Sequence, residues 1–191
     1  MNPQTKPRFS RHTALIAANE ICEFLRPHCE RIVVAGSLRR GKQWVGDAEI
    51  LFVSKQITQQ KPGDMFAHET VFPAHVAIAK MLEDQILTKR LNSVRSATWG
   101  DQNKLAIHVQ TAVPVDLFQT TEAHWFNYLV CRTGSAAHNV TIATRAQQRG
   151  WKWNPYSAGF TNETTGEPYA VTSEEDLFRF LAMDYIAPSN R

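Results

Sequence analysis

No run of apolar residues in this 191-residue chain approaches the length needed to cross a bilayer, and its first residues lack a signal-peptide core. The expected address is therefore the cytoplasm, of a bacterium or of a cell hosting a virus. Cysteine is scarce: Cys22, Cys29 and Cys131 form no Cys-x-x-Cys pair and leave an odd count. That excludes a disulfide framework and a clustered zinc site, and is what reduced intracellular thiols look like. A strong charge of one sign is missing too. The formal net charge is +3 and the pI about 8.8, a mildly basic balance compatible with nucleic acid and far from proof of it. The 43% hydrophobic and 20% charged residues describe an ordinary globular chain, long enough for one domain or two small lobes sharing an interface.

The informative stretch runs from Val33 to Val53. Ile32, Val33 and Val34 are β-branched and predict a strand, and Gly36 follows where the chain must turn sharply. Ser37 then stands where a helix N-terminus leaves backbone N–H groups unpaired, a cradle for phosphate. Arg39 and Arg40 add fixed positive charge, and Gly41 and Gly46 bracket the return into a second strand. Asp47 and Glu49 lie two apart on that strand, so they share a face while Ala48 and Ile50 point the other way. Two such carboxylates repel unless a divalent cation or a basic partner sits between them. Alone, the pair also fits a solvated face. Beside a phosphate cradle, it is what metal-assisted phosphoryl or nucleotidyl transfer requires.

Elsewhere the signals are mixed. Residues 1–11 read as a loose lead-in. Leu15, Ile16, Ile21, Phe24 and Leu25 predict a helix over 13–25, ended by Pro27. Residues 54–64 are polar, with a turn at Lys61-Pro62-Gly63-Asp64, and read as a surface loop. Val76, Ile78, Ala79, Leu82 and Ile86 predict a helix over 72–87. Lys89, Arg90 and Arg95 follow without a periodic signal, as a solvated face or a contact to a DNA backbone. Residues 104–109 and 113–118 predict two strands joined at Thr111-Ala112. Asp116 sits inside the second among Val115, Leu117 and Phe118, an unusual place for an acid without a partner or a metal. A helix around Trp125 to Leu129 ends at Thr133-Gly134-Ser135, and another runs over 135–149 to Gly150. Trp151 and Trp153 alternate as on a buried strand face, though such rings also stack on bases. Ser173 and Asp176 have the form of a capping box.

Gly36-Ser37-Leu38-Arg39-Arg40-Gly41 with Gly46-Asp47-Ala48-Glu49 resembles the signature of the nucleotidyltransferase superfamily, most closely that of family X DNA polymerases, the group that includes DNA polymerase beta. The better-known members have Asp where Glu49 stands; small phage-type members look similar and often carry Glu. Pro114-Val115-Asp116-Leu117-Phe118 resembles the strand bearing the family's third catalytic acid, with Pro114 where an Arg is usual. Thr133-Gly134-Ser135 and Asn139 resemble the thumb turn, and Tyr185, Pro188 and Arg191 the closing residues.

This resemblance implies an α+β fold: a nucleotidyltransferase palm over residues 1–120, with a mixed or antiparallel sheet and flanking helices, and a small α+β thumb over 121–191. The family's lyase and fingers domains are expected to be absent. It implies that Asp47, Glu49 and Asp116 are catalytic and hold two Mg²⁺ ions, with Mn²⁺ an alternative. Gly36, Ser37, Arg40 and Gly46 then bind the phosphates of a dNTP. Thr133 and Gly134 pack on its sugar and base, and Asn139 meets the minor-groove edge of the nascent pair. The implied reaction is DNA-directed addition of a dNMP to a primer 3′-hydroxyl, in short-gap or repair synthesis, by a monomer acting on primer-template or gapped DNA without a membrane. Cys131-Arg132 stand where the family has an aromatic pair. Ala143 replaces a template-reaching Arg, with Arg145 two positions off. These departures leave open a nucleotidyltransferase acting on a non-DNA acceptor, or a catalytically weak DNA-binding relative.

Overall fold

The computed structural model describes residues 7–61, 63–64, 66–92 and 94–191. In chain order its elements are β1 (Phe9–Ser10), α1 (Arg11–Leu25), β2 (Cys29–Val34), α2 (Gly36–Arg39), β3 (Trp44–Val45), β4 (Ala48–Ser54), β5 (Ile57–Gln60), β6 (His68–Val71) and α3 (Pro73–Glu83). There follow β7 (Leu87–Lys89), β8 (Asn103–His108), β9 (Pro114–Gln119), α4 (Trp125–Thr133), α5 (Ala136–Gln147), β10 (Trp151–Trp153), β11 (Gly159–Asn162), β12 (Pro168–Ala170) and α6 (Glu174–Phe180). The class is α+β, as the sequence implies.

A mixed five-stranded sheet in the order β2-β4-β9-β8-β7 carries the N-terminal part. β4 and β9 run parallel at its centre, and its other pairs are antiparallel. On one face, Ala17, Ile21 and Leu25 of α1 and Ile78 and Met81 of α3 pack against Ile50, Phe52, Val115 and Leu117. On the other, Trp125, Tyr128 and Leu129 of α4 cover Leu51, Val53 and Phe118. Coverage on both faces is why β4 reads Ile50-Leu51-Phe52-Val53 without alternation. Each large apolar side chain buried there contributes roughly 1.5–3 kcal/mol. Past α4, the small sheet β10-β11-β12 closes with α5 and α6 over a second core containing Ile142, Phe160, Leu177 and Phe178. Buried Asn127 of α4 ties the two parts: it accepts from Trp153 Nε1 at 2.7 Å and donates to the carbonyls of Asn154 and Ser157. Trp151 and Trp153 are thus packing residues, the first lying edge-on to Phe180.

Several expectations are corrected. Within the lead-in, Phe9 and Ser10 pair with Val45 and Trp44, and Ser10 caps α1 by accepting from the Thr13 N–H, so Arg11 is already helical. Residues 1–6 and Pro62 of the expected turn lie outside the described residues. The polar stretch after Ser54 contains a strand, because Ile57 to Gln60 pair with His68 to Val71 as an exposed hairpin. The second helix stops at Glu83. Gln85 takes a left-handed φ of 57°, and Leu87 begins a strand beside β8. Val76 and Ala79 of the expected apolar stripe are exposed; the buried face is Ala74, Ala77, Ile78 and Met81. The capping serine Ser173 accepts from the Asp176 N–H at 2.9 Å as expected, while the Asp176 carboxylate takes Thr172, Tyr169 and Arg179.

The two parts are joined by a charged knot around Glu174 of α6. Its Oε1 lies 2.6 Å from Nη1 of Arg39, and its Oε2 lies 2.7 Å from Nη2 of Arg191, whose side chain is fully buried. Removing the acid leaves two guanidinium groups without their shared counter-charge. Glu174→Ala should therefore lower the unfolding free energy in urea by about 3–5 kcal/mol, the cost of breaking a buried pair from one side. A loss below about 1 kcal/mol, typical of an exposed pair, would contradict this account of the junction.

Candidate active site

The chain leaves β2 at Ala35 and enters the four-residue α2 through Gly36, at φ +60°. A Cβ at Gly36 would meet Cδ of Glu49 at 3.0 Å, so only glycine lets the turn close over that carboxylate. Arg40, just past α2, donates through Nη1 to the Thr133 carbonyl. Gly46 is exposed, and Asp47 precedes β4, so only Glu49 of the acidic pair belongs to the strand itself.

Glu49 and Asp116 are lateral partners in the parallel ladder of β4 and β9. Neighbouring strands are about 4.8 Å apart, so the two acids stand side by side. Burial pushes the Glu49 carboxyl up to about 7; the charges of Asp47 and Asp116 push the same way, while Arg132 and Arg40 oppose them. Burial also raises Asp116, with Asp47 adding and Arg90 opposing. Glu49 Oε2 is buried without a hydrogen-bond partner, while Asp116 Oδ1 faces the Arg90 guanidinium. An orphaned carboxylate oxygen held by the fold beside a second acid is what a hard divalent cation takes as a ligand, so these residues fit one. Among the described residues, no three His, Cys, Asp or Glu side chains are grouped closely enough to hold an ion as they stand.

Three arginines surround the acids. Arg90, expected on a solvated face or a DNA backbone, instead places Nη2 2.8 Å from Asp116 Oδ1 as an ion pair. The Arg132 guanidinium lies 3.5 Å from the Phe118 ring centroid, with Tyr156 and Tyr128 at 5.1 and 5.5 Å. Arg40 completes the set. The sequence reading missed the roles of Arg90 and Arg132. Pro114 was the available signal for Arg90, since Asp116 needs a base and its own strand offers none.

On the far side, Thr133 is fully buried, with its hydroxyl accepting from Arg39 at 2.6 Å. Gly134 follows at φ 63°, against the Arg40 guanidinium, and its peptide bond to Ser135 is cis. Ser135 caps α5 by accepting from the His138 N–H. Asn139, expected at a minor-groove edge, donates to the Cys131 carbonyl at 2.9 Å and leaves Oδ1 buried without a partner. Arg145 does not stand in for a template-reaching arginine, because it donates to the Leu181 and Ala182 carbonyls behind α6. Lys89 lies over Trp99, while Arg95 is exposed.

Residues 128–191 match the DNA polymerase beta thumb family. Among solved structures, the chain is similar to polymerase beta of Leishmania infantum in a ternary P/T complex, with a TM-score of 0.74 over 97% of this chain and 77% of that one, at 17% identity. Residues 128–191 thus carry the likeness to the polymerase beta thumb, and the chain as a whole has a polymerase beta-like palm-and-thumb fold.

The raised Glu49 carboxyl has a consequence for stability. The folded, metal-free protein keeps on Glu49 a proton that the unfolded chain releases near 4.5. Its contribution to stability is therefore complete below that value and is lost as pH rises toward about 7. In urea titrations with EDTA, Glu49→Gln should gain on the parent protein as pH is raised through this window. Parallel stability curves would contradict the burial of this acid.

Proposed function

We propose that this protein is a DNA-directed DNA polymerase of family X, adding a dNMP to a primer 3′-hydroxyl in short-gap or repair synthesis. One observation carries the reading: Glu49 and Asp116 are lateral partners, with Glu49 Oε2 buried and unpartnered, beside the Gly36 turn and Arg40. The thumb match and the likeness to a polymerase in a ternary P/T complex support primer-template DNA and a dNTP as partners. In this reading residues 1–120 are the palm and 121–191 the thumb.

Asp47, Glu49 and Asp116 would hold Mg²⁺, or Mn²⁺. When bound, the ions supply charge neutralisation at the triphosphate and lower the pKa of the attacking hydroxyl. Ser37 and Arg40 bind the β- and γ-phosphates through hydroxyl and guanidinium, and Gly46 does so through its N–H. Thr133 and Gly134, buried against Arg39 and Arg40, would shape the nucleotide side of the thumb from behind, and Asn139 would have to leave the Cys131 carbonyl to meet a base edge. The primer oxygen bonds to the α-phosphorus as the bond to pyrophosphate breaks. Catalysis comes from positioning and from fixed charge, with little covalent work for the protein.

A second reading, a DNA-binding relative with weak catalysis, draws on the lack of three grouped ligands among the described residues and on the arginine already paired with Asp116. Primer extension separates the two. Asp116→Asn should lower incorporation on a gapped or recessed primer by about 1,000-fold or more while the thermal midpoint holds. Undiminished incorporation would remove Asp116 from the chemistry, and a parent protein inert with both metals on every primer would favour the second reading.

A further inference from the structure

We propose that Arg90 is the positioning residue for Asp116, supplied from two strands away; the inference rests on the polymerase reading above. Pairing across the sheet aligns four residues in one row. The Arg90 N–H donates to the Leu105 carbonyl at 2.9 Å, Leu105 is the lateral partner of Asp116, and Asp116 is the lateral partner of Glu49. Laterally paired residues share a face of the sheet, so the long Arg90 side chain can cross Leu105 to reach Asp116.

The backbone that launches Arg90 is held on both sides. Lys89 before it ends β7 and lies over the Trp99 ring at 5.0 Å, and Leu91 after it bridges to Ala97. The contact itself is an ion pair at 2.8 Å between side chains 27% and 15% exposed. Arg90 thus fixes the Asp116 carboxylate directly, through Oδ1. The position two residues earlier on the same face of β9 is Pro114, which has no side-chain donor. No other Lys or Arg is ion-paired with Asp116 among the described residues.

The test compares Arg90→Gln and Arg90→Lys with the parent full-length chain. It measures kcat and KM for dNTP in primer extension, Mn²⁺ affinity of the nucleotide-free protein by EPR, and the thermal midpoint. Arg90→Gln should lower kcat and Mn²⁺ affinity by about 10- to 100-fold, as loss of a supporting partner does. Its KM should stay within about threefold of the parent, because only orientation at the reacting centre is lost. Arg90→Lys should recover most of both, and the midpoints should agree within about 3 °C. Parent-like kcat and Mn²⁺ affinity in Arg90→Gln would overturn the proposal. So would equal damage in both variants with a matching fall in midpoint, which is the behaviour of a structural brace. If the parent extends no primer, the polymerase reading fails, and the Mn²⁺ affinities alone decide the role of Arg90.

Discussion

Two acids, Glu49 and Asp116, stand side by side on parallel strands at the centre of a covered sheet, and their repulsion is the constraint around which the basic residues are arranged. Apolar packing on both faces of β4 and β9 removes the water that would screen them. The answer is three guanidinium groups from three separate elements. Arg40 follows α2, Arg90 follows β7 and Arg132 belongs to α4. Arg90 pairs with Asp116 at 2.8 Å, while the charges of Arg132 and Arg40 act on Glu49, whose Oε2 stays unpartnered. In the proposed reading the acids take the cation and the guanidinium groups take the polyphosphate.

The same turn that builds the site also grips the thumb. Arg39 bonds to the Thr133 hydroxyl and to Glu174, while Arg40 bonds to the Thr133 carbonyl. The turn through Gly36 and Ser37 therefore both closes over Glu49 and seats the C-terminal lobe. Arg132 repeats this economy. It stacks on Phe118 of β9 and on Tyr156 of the thumb while its charge acts on Glu49 and Asp116. Geometry at the acids and docking of the lobes are one structural problem here.

Much of this was legible from the residues. The Gly36 turn, the Asp47 and Glu49 pair, and Asp116 within an apolar strand have local signatures, and the fold confirms their neighbourhood for Glu49 and Asp116. The helices over 13–25 and 135–149 were also readable from periodicity and from their stops at Pro27 and Gly150, although α1 begins earlier, at Arg11, behind the Ser10 cap. What stayed hidden depends on long-range pairing. The three-residue β7 is too short to carry a period, so although Pro114 signalled that Asp116 needs a base from elsewhere, nothing in sequence pointed to Arg90 as that base. Strand β5 of the outer hairpin is exposed along its whole length, so no buried face imposes the alternation that marks a half-buried strand. Arg132 looked like an anomaly beside Thr133 until Phe118, 14 positions earlier, was seen beneath it.

The most direct measurement is anomalous diffraction from crystals soaked with Mn²⁺ and a non-hydrolysable dNTP. The account predicts a Mn²⁺ peak within bonding distance of both the Glu49 and Asp116 carboxylates, with the triphosphate against Ser37 and Arg40. Mn²⁺ bound elsewhere, with the two acids bridged only by arginines while nucleotide is present, would contradict it.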